Sequence, residues 1–347
     1  MPHRILHLVG SAENDFLAGV SRAYATDCIE ANNAAGLTDQ HIAHVAPDGV
    51  WTFPTSLEDA AIAGADPVSE ESALIEIDRL GIEVVLPHMF CREGMTRYRR
   101  LILDADLPLV GNVPEVTAIA ADKWSTRQAV SRHGIRVPAA KLVDASRACL
   151  IELPVVVKPA TADNSSGVSL VRTSSEFPAA IAEAAKHSSN VFAEEYIPAG
   201  REVRCGVIET GDGLQALPLQ EYAIDERDHP IRNLQDKLVT TRSGRVDLAS
   251  KHGSKPWIVE SDDPVTAAVQ EAAIACYTAL NCRHYGLFDF RIDPDGTPWL
   301  LEAGLYCSFA PKSVLVMMAD ATGTTREAFL ESMIERAWRS KLCTALN

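Results

Sequence analysis

The chain has 347 residues, of which 47% are hydrophobic and 23% charged, a composition that excludes a disordered, collagen-like or disulfide-stapled protein. At roughly 100–200 residues per domain, the length indicates two or three domains with ample core. Acidic residues outnumber basic ones by 47 to 32, for a formal net charge of −15, which repels nucleic acid and anionic membranes at long range. We therefore expect an enzyme with small-molecule substrates, no nucleic-acid partner and no membrane partner, in which a local basic cluster holds any anionic ligand.

The sequence shows no sign of export or of membrane insertion. The apolar run near the N-terminus is too short for a signal peptide, and no stretch reaches the roughly 18 apolar residues that span a bilayer. The 8 cysteines are scattered and form no C-x-x-C pair, which indicates neither a zinc site nor a disulfide framework. These patterns predict a cytoplasmic protein.

The first third of the chain predicts a parallel sheet covered by helices, because strand and helix patterns alternate as in βαβ units. The predicted elements are a strand at residues 4–10, a helix at 16–35, a helix followed by a strand at 83–86, and a short strand at 107–111. Ligands of such sheets collect at the carboxyl ends of the strands, so the loops at 10–15 and 88–92 are candidate site walls. Ordinary connections fit the same two loops.

The rest of the chain predicts a mixed α+β region that begins near residue 118. The pattern is helical from 115 to 133 and is broken by GIRVP. The elements predicted beyond it are a strand–loop–strand unit at 153–171, a helix at 176–187, a strand at 190–197, a hairpin at 285–304 and a packing helix at 325–341.

The hairpin carries the strongest chemical signal. Its centre, Asp295-Gly296, is typical of two-residue turns in which both positions have positive φ. Such a turn predicts an apolar face with the pairs Phe288–Ala303, Phe290–Leu301 and Ile292–Trp299, and an opposite face on which Asp289 meets Glu302. Two carboxylates with Cβ atoms roughly 5 Å apart repel each other. A raised pKa, a bound divalent cation, or water with the neighbouring Arg291 would relieve that repulsion.

Two further segments carry charges in suggestive places. Lys158 ends the apolar strand LPVVV and precedes a loop of small polar residues at 161–167, an arrangement that can aim an ammonium group and backbone N–H groups at a phosphate. A surface hairpin with a snorkelling lysine fits the same residues. Glu202 follows the turn after the strand at 190–197, where it can accept from ribose hydroxyls or form part of a charged rim.

Taken in order, these segments resemble the ATP-grasp superfamily, specifically its D-alanine–D-alanine ligase-like branch, over nearly the whole chain. The resemblance implies an α/β and α+β protein with the ATP-grasp fold, which binds ATP and Mg²⁺. It implies an N-terminal Rossmann-like parallel-sheet domain at 1–118, a central subdomain with a phosphate lid at 119–196, and a C-terminal subdomain with the metal site at 197–347. Homodimers are common among such ligases.

The resemblance also implies a nucleotide site. The matched residues are Lys123, Lys158 and Lys237 as nucleotide lysines, Ser165, Ser166 and Gly167 in the lid that starts at Asp163, Glu194, Glu195, Tyr196 and Ile197 at the adenine edge, Glu202 at the ribose, and Asp289 and Glu302 as two metal ligands.

A substrate site is implied beside it. Glu13 matches an acid near the first substrate, His88 the substrate-side histidine and a candidate base, and Ser313 the serine that binds the second substrate's carboxylate. Together with Lys158 and Ser166, Glu13 and His88 form the implied catalytic set. The candidate carboxylate holders are Arg92, Arg97, Arg204, Arg291 and Lys312.

Two departures from the ligase pattern bear on the reaction. The third metal ligand of the family, an asparagine, is Gly304 here, and the arginine that steadies the tetrahedral oxyanion is Leu287. Loss of such a donor costs around 10²-fold or more in rate when the oxyanion forms, which argues against D-alanyl-D-alanine synthesis.

The segments LHLVGSA, PHMFCREGMTRYR and LEAGLYCSFAPKSV resemble most the mycosporine-glycine amine ligases of mycosporine-like amino acid biosynthesis. The implied reaction phosphorylates the ring oxygen of a cyclohexenone, and an amino acid's amine then displaces it to give an imine without a tetrahedral acyl-phosphate adduct. A dipeptide ligase that uses an acyl phosphate and a nucleotide-binding module without catalysis are the alternatives.

Overall fold

The computed structural model describes residues 3–37, 39–144, 151–162, 165–198, 200–223, 238–240, 246–248 and 256–345. The helices are α1 Asp15–Ala34, α2 Asp59–Gly64, α3 Glu70–Arg79, α4 Arg99–Asp104, α5 Pro114–Ala120, α6 Lys123–Ser131, α7 Phe177–Ala185, α8 Thr266–Ala279, α9 Val314–Asp320 and α10 Arg326–Ala345, and a short π-helix, Gly94–Tyr98, leads into α4. The strands are β1 Ile5–Gly10, β2 Gln40–Val45, β3 Trp51–Thr52, β4 Val84–Pro87, β5 Ala140–Val143, β6 Val155–Pro159, β7 Ser169–Val171, β8 Val191–Glu195, β9 Arg201–Thr210, β10 Gly213–Ala216, β11 Gln220–Tyr222, β12 Leu238–Thr240, β13 Val246–Leu248, β14 Trp257–Ile258, β15 Tyr285–Ile292 and β16 Pro298–Gly304.

The N-terminal sheet has the order β3-β2-β1-β4, with β1 parallel to both β2 and β4. All six residues of β1 are buried, as a central parallel strand requires. Helix α1 begins after Asn14, whose side chain accepts a hydrogen bond from the backbone N–H of Leu17 at 2.9 Å and so caps the helix. The parallel sheet is therefore as predicted, but the strand predicted at 107–111 is reduced to one bridge between Leu109 and Val85.

Two mainly antiparallel sheets follow. The smaller has the order β5-β8-β6-β7, and the larger has the order β14-β11-β9-β15-β16, with β10 on the other end of β9. The chain passes from β8 to β9 through residues 196–200. Gly200 packs so closely on β15 that a Cβ there would overlap the carbonyl oxygen of Ile292, so this crossing tolerates only glycine.

A β-bulge shifts the register of the β15–β16 hairpin. Asp289 pairs with Glu302 as predicted, but Phe290 pairs with Leu300 and the predicted pair Phe290–Leu301 is wrong. The extra residue, Leu301, turns away from the core while Leu300 is buried in it. Because side chains alternate along a strand, one inserted residue places Leu301 and Glu302 on the same side of the sheet.

The turn of this hairpin is longer than predicted. The backbone N–H of Asp293 donates to the carbonyl of Thr297 at 3.1 Å, and Gly296 has φ +80. The Asp293 carboxylate accepts from the N–H groups of Asp295 and Thr297. A five-residue loop capped by Asp293 therefore replaces the two-residue turn, and Ile292 pairs with Pro298 where Trp299 was predicted.

One hydrophobic cluster joins the two ends of the chain. It contains Ile5 and Leu86 from the N-terminal sheet together with Phe329, Leu330 and Met333 from α10. The C-terminal helix thus packs on the first sheet, while the boundaries near residues 118 and 196 remain predictions. None of the helices in the described ranges combines the length and apolar character that crossing a bilayer requires.

Candidate active site

A cleft between the two antiparallel sheets brings most of the predicted nucleotide residues together. It encloses about 730 Å³ of empty space, including space open to solvent. The residues from the prediction that line it are Lys123, Lys158, Ser165, Glu194, Glu195, Tyr196, Ile197, Glu202, Asp289, Arg291 and Glu302. The bulged Leu301 lines it too, so the bulge adds an apolar surface beside the acids.

The two facing acids are balanced by two cations. The Arg204 guanidinium lies 2.9 Å from one Asp289 carboxylate oxygen and 3.0 Å from the other, and the Lys123 ammonium lies 3.5 Å from Glu302. Burial alone would lower the pKa of Arg204, but the charge of Asp289 raises it above its ordinary value. Arg204 and Lys123 are therefore partners that offset the repulsion between the two acids.

The acids also suit a magnesium ion. Asp289 is only 8% exposed, and its partner Glu302 opens onto the same cleft. Carboxylate oxygens are what Mg²⁺ prefers, and the ion commonly keeps several waters when the protein supplies one or two ligands. Gly304, at the third family position, would meet only ordinary contacts of 3.9 and 4.0 Å if it carried a Cβ, so space does not explain the missing ligand.

Both predicted nucleotide lysines that the structure describes line the cleft. Lys123 opens α6, where its N–H donates to the Ala160 carbonyl at 2.8 Å and its ammonium to the Ala162 carbonyl. The Lys158 ammonium is paired with Glu194, which is 4% exposed, and the Arg127 guanidinium lies 3.5 Å from the other oxygen of that carboxylate. This buried carboxylate, held by two cations, fixes the side of the cleft that the smaller antiparallel sheet forms.

The lid predicted over the phosphates is only partly described. Ser165 and Gly167 have φ +60 and +70, so the chain turns sharply there. A Cβ on Gly167 would meet His187 at 2.7 Å, which requires glycine. Ser165 lines the cleft, whereas the cleft's lining does not include Ser166 or Gly167. Asp163 and Lys237 lie outside the described residues.

The predicted substrate residues lie toward the N-terminal sheet. The Glu13 carboxylate accepts from the backbone N–H of Glu93 at 3.1 Å, which joins the two loops predicted to form a wall. Arg92 is exposed. Arg97 makes two hydrogen bonds, of 2.7 and 2.9 Å, to Glu70, and its role as a carboxylate holder stays a prediction. Farther along the chain, Lys312 is exposed and Ser313 places its hydroxyl 3.5 Å from the thiol of Cys307.

A hydrogen-bond chain fixes the tautomers of two buried histidines. The Gln40 amide group donates to the side-chain oxygen of Asn33 and to the carbonyl of Leu37, both at 2.9 Å. Its oxygen must therefore face Nε2 of His7, 2.8 Å away, so that His7 is protonated at Nε2. His7 then accepts at Nδ1 from Nε2 of His88 at 2.9 Å, and Nδ1 of His88 is left without a hydrogen-bond partner among the described residues.

This histidine pair is neutral at pH 7. Burial lowers the pKa of His7 to about 4, and burial together with His7 lowers the pKa of His88 well below its ordinary value. The donor atoms of His7, His88 and Cys28 lie within 4.8 Å of one another, but both nitrogens of His7 are already hydrogen-bonded. Burial raises the pKa of the Cys28 thiol to about 12. The three side chains form a buried core cluster in which the two histidines are hydrogen-bonded to each other, and His88 as a base stays a prediction.

Sequence reasoning missed an aromatic wall. It consists of Tyr24, Phe90 and Tyr306, with ring centroids 5.4 Å apart for the first pair and 4.9 Å for the second. Burial raises the pKa of Tyr24 while the charge of Arg204 acts against that shift. Tyr306 is 45% exposed. No spacing rule links three residues on α1, the loop after β4 and the segment after β16.

Comparisons with known proteins agree on one family. The family described as "D-ala D-ala ligase C-terminus" matches residues 127–335. The D-alanine–D-alanine ligase of Bordetella petrii is 30% identical over 277 residues, which cover 77% of this chain and 79% of that protein. The fold is similar to that of VanG D-Ala:D-Ser ligase from Enterococcus faecalis, with TM-score 0.75, 20% identity and coverage of 97% and 100%. It is also similar to a D-alanine–D-alanine ligase from Bacillus anthracis complexed with ATP, with TM-score 0.69, 19% identity and coverage of 97% and 98%.

Proposed function

From the premise that this chain belongs to the D-alanine–D-alanine ligase family, and is an ATP-grasp carbon–nitrogen ligase that uses ATP and Mg²⁺, we propose that it phosphorylates an oxygen of an acceptor and couples that acceptor to an amino acid's amine. One observation carries the proposal: two facing acids, two lysines and a carboxylate near the linker line a single cleft. We also propose that the protein forms a homodimer, which light scattering of the purified protein tests.

The cleft suits phosphoryl transfer, which depends on positioning and electrostatics more than on covalent residues. Bound Mg²⁺-ATP supplies the phosphoryl group. Asp289 and Glu302 would hold the metal, Lys123 and Lys158 would offset phosphate charge, and Glu202 would accept from the ribose. The Lys158 ammonium, which is paired with Glu194, would also donate to a phosphate oxygen.

Two acceptor classes compete. The named relatives are D-alanine–D-alanine ligases, which favours D-alanine, whose carboxylate would become an acyl phosphate that a second amine attacks. Two features support a ring instead: Leu287 stands where the family has the arginine that steadies the tetrahedral oxyanion, and the aromatic wall offers flat apolar surface. For the reaction with a ring acceptor, we propose mycosporine-glycine as that acceptor.

The ring reaction balances without an oxidant or reductant. The ring oxygen takes the γ-phosphoryl group and ADP leaves. The amine nitrogen then bonds to the ring carbon, phosphate leaves with that oxygen, and the nitrogen loses its two protons to give the imine. Because no tetrahedral acyl-phosphate adduct forms, this course does not need the arginine that Leu287 replaces.

A coupled assay separates the candidates. The purified protein with ATP and Mg²⁺ is given D-alanine alone, or mycosporine-glycine with a mixture of amino acids, while ADP is measured and products are identified by mass spectrometry. We expect ADP and an imine only with the ring acceptor. ADP release with D-alanine alone would establish the dipeptide ligase and overturn the ring acceptor. ATP binding without ADP release above background from any pair would leave a binding module.

A further inference from the structure

We propose that Arg291 is a positioning residue that sets the enzyme's preference for a complete ribose, by holding the Glu202 carboxylate and the linker at 196–197 in one arrangement. This inference rests on the proposed function, since it requires that the cleft binds ATP. The sequence had assigned Arg291 to a substrate carboxylate, and nothing in the ligase resemblance gives it a role toward the nucleotide.

Strand pairing puts Arg291 at the right place. On β15 it lies directly opposite Glu202 of β9, and it lines the cleft with Glu202 and Tyr196. The side chains of Arg291 and Glu202 are only 6% and 13% exposed. An ion pair so little exposed to solvent is screened weakly, and its geometry is better fixed than that of a surface pair.

One guanidinium group makes three kinds of contact. Its Nη2 donates to Oε2 of Glu202 at 3.2 Å, and its Nη1 lies 3.4 Å from the carbonyl oxygen of Ile197 and 3.5 Å from the hydroxyl of Tyr196. The guanidinium carbon lies 5.5 Å from the centroid of the Tyr196 ring. A planar fork with several donors can make these contacts together, whereas a lysine ammonium cannot also stack on the ring.

These contacts leave half of the Glu202 carboxylate available. Oε2 is occupied by Arg291, while Oε1 accepts no hydrogen bond from the part of the chain that the structure describes. A carboxylate held by one oxygen presents the other in a fixed direction, and a hydrogen bond from a hydroxyl to such an ion is stronger than one between neutral groups. The geometry thus prepares Oε1 to accept from a ribose hydroxyl.

The linker is fixed by the same residue. Tyr196 and Ile197 belong to the segment that crosses from β8 to β9. Three residues after Ile197, the chain is fixed again where Gly200 packs on the Ile292 carbonyl. Arg291 therefore couples the proposed adenine edge to the ribose acid. An alternative role, in which the ion pair merely stabilises the large sheet, predicts a loss of stability without a change in nucleotide preference.

The test compares three nucleotides with three proteins. Dissociation constants for ATP, 2′-deoxyATP and 3′-deoxyATP, each with Mg²⁺, are measured by calorimetry for the wild type, Arg291→Met and Arg201→Met. Arg201 is the matched control: it lies on the neighbouring rung of the same strands and pairs with Glu221 and Asp263, away from the cleft lining. Thermal unfolding of each protein reports the structural effect separately.

We expect the wild type to bind at least one deoxynucleotide about tenfold more weakly than ATP. In Arg291→Met that ratio should fall toward one while ATP itself binds about tenfold more weakly, and in Arg201→Met the ratio should stay as in the wild type. Arg291→Lys, which keeps the charge, should show an intermediate ratio and serves if the methionine variant does not fold. An unchanged ratio in the Arg291 variants, an equal loss in the Arg201 control, or no ribose preference in the wild type would overturn the inference. Failure of the wild type to bind ATP would instead refute the proposed function.

Discussion

The nucleotide end and the acceptor end that we propose for the site are built in different ways. At the nucleotide end, Arg204, Asp289 and Glu302 occupy the same rung of three adjacent antiparallel strands, so main-chain pairing fixes their spacing. At the acceptor end, Glu13, Phe90 and the other wall residues come from loops and from the first helix. Loops vary more readily than paired strands, so the phosphate chemistry is constrained by the fold while the acceptor is set by segments that can change independently.

The two ends also differ in charge. The nucleotide end holds its charges in pairs, such as Lys158 with Glu194 and Arg204 with Asp289. The acceptor end rests on the neutral histidines His7 and His88. A cluster of paired charges can exchange a partner for phosphate or metal, whereas a neutral core cluster serves to hold a shape.

The largest effect should follow from removing a metal ligand at the nucleotide end. Asp289→Asn should lower the rate of ADP formation at least about 100-fold, because Arg204 would then lack its partner and the metal one of its two carboxylates. Rates at increasing Mg²⁺ concentration measure it. Asp295→Asn, in the exposed turn of the same hairpin, is the control. Near-normal turnover by Asp289→Asn would contradict the assignment of Asp289 as a metal ligand.

At the acceptor end, Phe90→Ala should raise KM for the acceptor about tenfold and leave KM for ATP within about twofold. The reason is the lost contact area of one ring in the middle of the aromatic wall. Initial rates with each substrate varied in turn give the two constants, and Phe16→Ala, an exposed aromatic on α1, is the control. Equal changes in both constants would show that the two ends are not separable.

Acidification should destabilise the core beneath the acceptor end. Between about pH 6.5 and 4 the unfolded chain protonates His7 while the folded chain keeps it neutral, since its folded pKa is about 4. The free energy of unfolding should therefore fall by roughly 1 kcal/mol per pH unit for this group as the pH drops through that window.

Urea unfolding at pH 7, 6 and 5 measures this slope. His7→Asn should reduce the slope, to which the buried His44 and His284 also contribute, whereas His41→Asn, at a histidine near the surface beside Asp39, should not. An identical slope in the wild type and in His7→Asn would contradict the assignment of a neutral, buried His7.

The smallest effect tests the missing third ligand. Gly304→Asn should lower the Mg²⁺ concentration for half-maximal activity about threefold, because the position has room for a side chain and an amide oxygen is a suitable ligand. Gly304→Leu, similar in size but without an oxygen, is the control. If Gly304→Leu also lowered the Mg²⁺ concentration for half-maximal activity, the effect would come from packing instead of metal coordination.

The sequence was most informative where local spacing decides the structure. Asp289 faces Glu302 because both belong to one hairpin, and Lys158 reaches the cleft because it ends a buried strand. The register beyond Asp289 was wrong because Leu300 and Leu301 are equally apolar, so the alternating pattern accepts either one in the core and does not reveal a bulge.

Contacts between distant segments were beyond prediction. Arg204 pairs with Asp289 only because β9 lies beside β15, an order that no pattern in either strand specifies. The same holds for the aromatic wall and for the contact between Arg291 and the linker. These features depend on how distant segments pack together, and a single sequence does not give the distances between such segments.

The packing of α10 on the first sheet has a consequence for biosynthesis. Ile5 and Leu86 leave the ribosome well before Phe329 and Met333, the residues that cover them. Because translation proceeds at roughly 5–20 residues per second, the apolar face of the first sheet stays uncovered until α10 has been made. A chain truncated before α10 would therefore expose the apolar face of its first sheet, to which chaperones would bind.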